Sequence, residues 1–380
     1  MPKVAIKTLS VTQLDEFLAA QGWPRYRSRQ VLDWIYRRGV TRFEEMTNLG
    51  HSERIRLAEL SVITEPVLAE VRRDAEDGTE KLLFRLEDGE TVESVLIPDE
   101  SRLTLCLSTQ VGCTLDCTFC LTGTMGLKRN LKAHEIVDQV LGARAHAGPE
   151  RPITNLVFMG MGEPLANLAA VYEAIERLTA PWGLGYSPRR ITVSTSGLVP
   201  QMTQLGAFRH PVNLAVSLNA TTDDVRDRVM GTINRKYPLA ALLGACRAYP
   251  LSPRRRIFFE YVLLAGVNDT PADARRLVAL LHGIRCKVNL IPFNPWPGAP
   301  FERPTDAAVA AFQTILLNAH FSAFVRKSKG RQILAACGQL RSAHQGSPPL
   351  LPLDLSRSSA VDKAASEVIQ PTPRCTPWRV

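Results

Sequence analysis

The stretch "RLTLCLSTQVGCTLDCTFC", Arg102–Cys120, carries four of the chain's eight cysteines within fifteen residues. Its first part, "LTLCLST", reads as a β-strand, and Cys106 lies on it. Its second part places Cys113, Cys117 and Cys120 at C-x3-C-x2-C spacing in the loop that follows. The stretch decides the fold because it opens a long alternation. Strand-like runs such as "ITNLVFMG", "RRITVSTSG", "VNLAVSLN", "RIFFEYVLL", "CKVNLIPFN" and "FSAFVRK" are separated by helical runs such as "AHEIVDQVLGARA" and "PADARRLVALLHG". Alternating strand and helix means right-handed crossovers and a parallel sheet. About six such units fit a full or partial barrel better than a doubly wound open sheet, and in either fold chemistry sits at the carboxyl ends of the strands.

Outward from this region the character changes. Residues 1–62 read as a small helical, arginine-bearing domain. Ser10 is the expected N-cap and Gly22 the stop of a first helix, with Ser28 and Gly39 in the same roles for a second. Residues 63–102 hold three short β-like runs separated by "EDG" at 76–78 and 87–89, a pattern of antiparallel strands. The barrel core is expected over 103–340. The tail, 341–380, is rich in Pro and Ser and lacks periodicity. It is expected to be disordered, with no role for its Cys375. The reading is an α/β protein: a partial (βα)6 barrel, a helical accessory domain and an antiparallel extension.

The hydrophobic fraction of 45% is ordinary, and no run reaches the ~20 apolar residues of a membrane span. With no long apolar segment at the start, a cytoplasmic protein is expected, where clustered thiols bind metal or do chemistry. The net charge of +9 suits a polyanion partner, and equally suits a solvated surface. Local clusters favour nucleic acid. "RYRSRQVLDWIYRR" interleaves arginines with Tyr26, Trp34 and Tyr36, "SPRRRIFFEY" sets Arg254, Arg255 and Arg256 beside aromatics, and "VRKSKGR" carries Arg326, Lys327, Lys329 and Arg331. The same aromatics would serve as core residues.

The cysteine spacing admits three chemistries. Structural zinc wants a fourth ligand, and no second C-x2-C or H-x3-H pair follows. A redox dithiol of Cys117 and Cys120 leaves Cys113 idle. An iron–sulfur cluster held by three thiolates uses all three cysteines and leaves one iron open. Spacing favours the cluster and leaves zinc open. Cys246 and Cys286 read as core.

Further motifs follow in order: "VESVLIP", "VFMGMGEPLAN", "ITVSTSGLVP", "LAVSLNA", "INRKYPL", "EYVLLAGVND", "KVNLIPFNP" and "AACGQL". With the cysteine motif after the first barrel strand, they resemble the radical S-adenosylmethionine RNA methyltransferases that act on C2 of adenosine. The resemblance spans about residues 90–340 and extends to the helical N-terminal unit. It implies that Cys113, Cys117 and Cys120 hold a [4Fe–4S] cluster whose open iron binds S-adenosylmethionine, two molecules of which are used per turnover. It assigns Gly162, Glu163, Ser194, Ser217, Leu218, Asn219 and Asn294 to S-adenosylmethionine, with Glu163 on its amino group. It makes Cys337 the residue that is methylated first. A radical made from a second S-adenosylmethionine then takes hydrogen from that methyl group, and the resulting carbon adds to the adenine. The detour is needed because C2 is too electron-poor to attack a sulfonium methyl directly, so the cofactor supplies the reactivity. The resemblance further implies that Glu93 removes the C2 proton and that Cys106 resolves the adduct through a transient disulfide with Cys337. Expected partners are 23S ribosomal RNA, tRNA beside the anticodon, and an electron donor such as flavodoxin or ferredoxin. A monomer is expected.

Two alternatives stand beside this reading. Relatives that methylate C8 and confer antibiotic resistance share most motifs, although "VESVLIP" and the length of the N-terminal unit favour C2. A zinc-stabilised, non-catalytic RNA-binding protein is the alternative of another class. One departure bears on the site. Before "AACGQL" the family shows Arg-Gly, an acidic residue and Ile, whereas this chain has Lys329 and no acid at Arg331 or Gln332.

Overall fold

The computed structural model describes residues 3–341 and the backbone of 367–369. The N-terminal unit is closed by a parallel pair, Val4–Ala5 (β1) with Ser61–Val62 (β2). Between them lie three helices: α1 (Val11–Ala19), α2 (Tyr26–Leu32) and α3 (His51–Leu60). Ser10 caps α1 as expected, in a capping box with Gln13. Ser28 does not cap α2. That helix starts at Tyr26 with Arg25 as N-cap, just after Pro24, and Ser28 is buried inside it with its hydroxyl donating to the Arg25 carbonyl at 3.1 Å. The helix then widens into a π-type turn over Asp33–Arg37. Trp34 and Tyr36 are buried core residues, so of the three aromatics in this segment Tyr26 alone faces solvent, with Arg27 stacked on its ring at 5.2 Å.

The unit is anchored to the barrel through polar groups. The buried Arg177 guanidinium donates to the carbonyls of Lys7 (2.6 Å) and Leu9 (2.9 Å) and to the Tyr36 hydroxyl (2.9 Å). Lys7, itself buried, pairs with Asp138 and donates to the Thr64 carbonyl at 2.6 Å.

Three antiparallel strands follow: β3 (Val67–Arg73), β4 (Glu80–Arg85) and β5 (Thr91–Asp99), joined by the two "EDG" turns with Gly78 and Gly89 at positive φ. They are continuous with the barrel sheet. Strand β6 (Arg102–Cys106) pairs antiparallel with β5 on one edge and parallel with a barrel strand on the other. A small hairpin, β7 (Gln110–Gly112) and β8 (Leu127–Asn130), flanks the cysteine loop. At Gly112, φ is +78° and a Cβ would lie 1.9 Å from the Gly126 carbonyl oxygen, so glycine alone allows the hairpin to close.

The chain then alternates: α4 (Ala133–Ala147), β9 (Asn155–Phe158), α5 (Leu168–Thr179), β10 (Ile191–Thr195), α6 (Val199–Gly206), β11 (Asn213–Ser217), α7 (Asp223–Lys236), α8 (Leu239–Ala248), β12 (Ile257–Leu263), α9 (Pro271–Leu281), β13 (Cys286–Pro292), α10 (Asp306–Asn318) and β14 (Ala323–Val325). Strands β6, β9, β10, β11, β12, β13 and β14 are neighbours in that order and all parallel. Each crossover steps the same way, and the sheet stays open, which makes a partial (βα)6 barrel. The tail expectation falls outside the described residues, except that Glu367–Ile369 (β15) adds antiparallel to β3. Along β10, fully buried Ile191 and Val193 alternate with less buried Thr192 and Ser194, so Ser194 lies on the face opposite that apolar row. Cys246 and Cys286 are buried in the core. Among the described residues no helix is long and apolar enough to cross a membrane.

Replacing Arg177 by Ala leaves the Tyr36 hydroxyl and two carbonyls without their donor in a buried interface. It is expected to destabilise the protein by roughly 2–4 kcal/mol. Denaturant unfolding measures the loss, and limited proteolysis between residues 62 and 67 should accelerate with it.

Candidate active site

The loop after β6 is built by a buried glutamine, Gln110. Its side-chain oxygen accepts from Thr114 N (3.2 Å), in the cysteine loop, and from Glu163 N (3.0 Å), in the "GMGEP" loop after β9. Its amide nitrogen donates to Asn130 at 2.7 Å. Gln139 on α4 locks the end of β6 in the same way. It accepts from Ser108 N (2.9 Å) and Ser94 Oγ (2.7 Å) and donates to the Ser108 carbonyl (3.0 Å). Neither glutamine stood out in the sequence, because an amide buried at a strand end carries no spacing signal.

Cys113, Cys117 and Cys120 are free thiols in this loop. Burial raises all three, Cys113 to about 12, and the mutual charge of the three thiols adds to the shift at Cys113 and Cys117. Such thiols ionise readily only beside a cation or metal. Among the described residues no three His, Cys, Asp or Glu side chains converge on a single ion position. A cluster binds each cysteine to a different iron, so three thiols from one loop suit it. Beside Cys117 lies Arg226, fully buried and, among the described residues, with no carboxylate in ion-pair contact, although Asp223 and Asp227 act on it from farther off. It donates to the carbonyls of Ser196 (2.7 Å) and Leu218 (3.1 Å), and burial lowers its pKa to about 10.

The residues assigned to S-adenosylmethionine lie at the carboxyl ends of neighbouring strands. Gly162 has φ +96°, and a Cβ there would come 2.5 Å from Gln110. The Glu163 carboxylate is buried and accepts from the backbone N–H groups of Leu165 (3.0 Å) and Ser196 (2.8 Å). Among the described residues no cation pairs with it, and burial raises its pKa. A buried carboxylate without a cation fits an incoming ammonium group. Asn294, just past β13, donates to the Cys337 carbonyl at 3.4 Å, while its buried side-chain oxygen has no partner. That orphaned acceptor fits a donor on a bound ligand. Ser194 and Ser217 are half-buried on β10 and β11. Leu218 and Asn219 are buried. Asn219, at φ +57°, is committed inside the protein, accepting from Val262 N at 2.9 Å and donating to Met230 Sδ at 3.2 Å.

The loop carrying Cys337 closes over this mouth. Leu121 N donates to the Gly338 carbonyl (2.7 Å), Thr122 Oγ1 to the Leu340 carbonyl (2.6 Å) and Gln339 Nε2 to the Pro295 carbonyl (2.6 Å). The first of these ties the loop to the residue after Cys120. Cys337 reaches solvent through the opening, yet surrounding atoms raise its thiol; Glu260 and Cys120 push it up further and Arg326 opposes them. Cys106, buried at the end of β6, is raised by burial and next by the Cys337 charge. Both are free thiols, and no disulfide joins them. Glu93 is a buried residue of β5. It pairs with Lys81 Nζ at 3.0 Å and accepts from Arg341 N at 2.8 Å, while burial raises its pKa against Lys81. Lys81 also donates to the Leu334 carbonyl at 3.3 Å, which ties Glu93 to the Cys337 loop.

The departure before "AACGQL" has a structural answer. The β3–β4 turn holds the backbone here: Gly330 N donates to Asp77 Oδ2 (2.8 Å) and Gln332 N to Asp74 Oδ2 (3.2 Å). Lys329 donates to the Pro98 carbonyl and lies 3.6 Å from Asp99.

With this geometry established, similarity to known proteins is decisive. Residues 4–63 match the ribosomal RNA large subunit methyltransferase N-terminal domain, and residues 107–278 match the radical SAM superfamily. A dual-specificity RNA methyltransferase RlmN of Geobacter sulfurreducens is 54% identical over 340 residues, covering 89% of this chain and 92% of its own. The chain belongs to the RlmN family of radical SAM methyltransferases. The relative of the same name from Syntrophobacter fumaroxidans is 51% identical, covering 90% of this chain and 98% of its own. The crystal structure of a radical SAM methyltransferase from Sphaerobacter thermophilus is 45% identical and superposes with a TM-score of 0.82 over 90% of this chain and 99% of that one. The family's cofactors are a [4Fe–4S] cluster and S-adenosylmethionine.

Removing the turn acids (Asp74→Ala with Asp77→Ala) takes two charge-assisted hydrogen bonds from the Cys337 loop, each worth about 1.5–3 kcal/mol. Hydrogen exchange at the Gly330 and Gln332 amides is expected to rise at least about tenfold, with exchange in β12 and β13 unchanged.

Proposed function

We propose that this enzyme methylates C2 of adenosine in 23S ribosomal RNA and in tRNA beside the anticodon. The observation that carries the reading is the meeting of Cys337 with Cys106 and Glu93, which lie on adjacent strands more than 200 residues before it in the chain. When bound, the cluster and S-adenosylmethionine supply the methyl group and the reducing, radical-forming chemistry.

The chain's own residues do the rest. Cys113, Cys117 and Cys120 hold the cluster, and Gly162, Glu163, Ser194, Ser217, Leu218 and Asn294 hold S-adenosylmethionine. Asn219 contributes by fixing the strand end that presents Ser217 and Leu218. Cys337 as thiolate accepts the methyl group, and its open position lets the target base reach it. Arg326 favours that thiolate. Glu93 removes the C2 proton. Its raised pKa makes it a stronger base, and Lys81 keeps it ionised. Cys106 then attacks the Cys337 sulfur, forming a transient disulfide and releasing the methylated base. The helical unit over 1–62, with exposed Tyr26 and its arginines, grips the RNA while the base is turned out into the mouth. The antiparallel strands over 63–102 carry Glu93, and 103–340 forms the catalytic barrel. The enzyme works as a cytoplasmic monomer, reduced by a flavodoxin or ferredoxin. C2 is favoured over C8 by the relatives, which carry the dual-specificity name over nearly their whole length.

Nucleoside mass spectrometry of RNA treated with the anaerobically reconstituted enzyme tests the reading. 2-Methyladenosine is expected in both RNAs, and 8-methyladenosine overturns the position. Cys106→Ala should accumulate a covalent protein–RNA adduct, and adding Cys337→Ala should abolish it. Normal turnover by Cys106→Ala removes Cys106 from the mechanism. Separately, Cys113→Ala should abolish absorbance near ~400 nm and lower bound iron.

A further inference from the structure

The mouth described above lies at the carboxyl ends of the parallel strands. Their opposite, amino-terminal ends carry a second charged surface. Five helix-to-strand connections lead into β10, β11, β12, β13 and β14: residues 180–190, 207–212, 249–256, 282–285 and 319–322. None of these connections contains an Asp or Glu. They contain Arg189, Arg190, Arg254, Arg255, Arg256 and Arg285, with His282 and His320 between them; Arg209 is there too, neutralised by Glu176. Because β10 to β14 are consecutive neighbours, the connections line up as one rim. Adjacent strands lie about 4.8 Å apart, so the connections form one continuous edge, with the cations concentrated before β10, β12 and β13.

None of the six arginines makes an ion pair among the described residues. Arg190 donates to Asn155 (3.3 Å), Arg255 to Asn213 (3.3 Å) and Arg256 to Ser322 (3.1 Å), while Arg285 donates to the carbonyls of Leu251 (2.9 Å) and Pro253 (3.0 Å). All of these acceptors are neutral. The charges are therefore oriented but not cancelled, and after burial the nearest influence on Arg255 is the like charge of Arg189. The rim surrounds a cavity of about 620 Å³ lined by residues 253–256, 281–286 and 319–322. The aromatic side chains of these connections, Trp182, Tyr186, Phe208, Tyr249 and Phe321, are half-buried, whereas Arg189, Arg190, Arg254, Arg256 and Arg285 are exposed. Exposed guanidinium groups match a sugar–phosphate backbone and carry no sequence preference.

We propose that this rim is a second RNA-binding surface, one that takes backbone phosphates of the large RNA substrate remote from the target adenosine. The proposal rests on the RNA-methylating reading of the mouth. The seven-residue β13 spans roughly 20 Å, so a short stem-loop seated in the mouth does not reach the rim, whereas a large folded RNA wraps far enough to do so.

The test uses the full chain with its cluster reconstituted, carrying Arg254→Gln, Arg255→Gln and Arg256→Gln together. Arg285 stays, because it holds the loop carbonyls. With full-length 23S ribosomal RNA, Kd and KM are expected to rise about tenfold at 0.15 M salt. The slope of log Kd against log salt should become shallower by about 2, as three phosphate contacts are lost. With a short hairpin bearing the target adenosine, kcat and KM should be unchanged. An unchanged Kd and slope for 23S RNA overturns the proposal, as does an equal rise in KM for the hairpin, which would indicate general damage. So does competition by poly-glutamate as effective as that by RNA of equal charge, which would make the rim a surface for an acidic protein. If the triple variant unfolds at a lower temperature, Arg254→Gln alone, at an exposed position with no bond to lose, should show about a third of the slope change. Absence of 2-methyladenosine in the hairpin with the unmodified enzyme contradicts the reading of the mouth instead, while the binding measurements still decide the rim.

Discussion

One carbonyl oxygen, that of the Gln110 side chain, holds the catalytic mouth together. Two backbone N–H groups from separate loops, Thr114 and Glu163, converge on it within a dry region at the end of the sheet. A parallel sheet brings strand ends to one face but does not set the distance between the loops that leave them. The shared acceptor sets that distance between the loop with the cysteines and the loop with the buried carboxylate. Its geometry depends on Gly162, because a Cβ there would occupy the space of the Gln110 side chain. Gly162 thus has a packing reason to be glycine beside any contact with a ligand.

The Cys337 loop obeys a different constraint. It is not part of the barrel's repeating pattern and has no helix of its own, so its position comes from bonds to other segments. Leu121 and Thr122 fix its far end against the cysteine loop, and Asp74 and Asp77 fix its near end against the antiparallel strands. The antiparallel extension therefore does more than carry Glu93. Its turn also binds the loop's backbone, through carboxylates some 250 residues away in the chain.

The fold was legible because it is periodic. Every expected barrel strand is present, and the cysteine loop follows the first of them. The site residues were legible only through motif resemblance: Ser194 and Asn294 are in themselves ordinary strand-end residues, and Glu93 reads as a surface carboxylate until its burial against Lys81 is seen. Local chemistry misled at Ser28, where a capping residue type is overridden by Pro24 setting the helix start earlier. The aromatics of the N-terminal unit could not be sorted from pattern, since Tyr26 and Tyr36 differ only in which helix face meets the barrel. Gln110, Gln139 and Arg226 stayed hidden because their partners are mostly backbone groups and uncharged side chains distant in sequence, which leave no mark on composition.

The barrel also separates its charges by face. Acidic residues sit in the mouth and on its surrounding strands and loops, among them the buried Glu163, Glu93 and Glu260. Arginines fill the amino-terminal rim, where neutral acceptors orient them without neutralising them. Had the cations been spread over the mouth as well, they would have competed for the Glu163 carboxylate, whose donors are the neutral N–H groups of Leu165 and Ser196 and the Thr195 and Ser196 hydroxyls. A polyanionic backbone and a cationic cofactor group need opposite fields, and the two ends of one parallel sheet differ in that way. The net charge of +9 is summed over the whole chain and describes neither end.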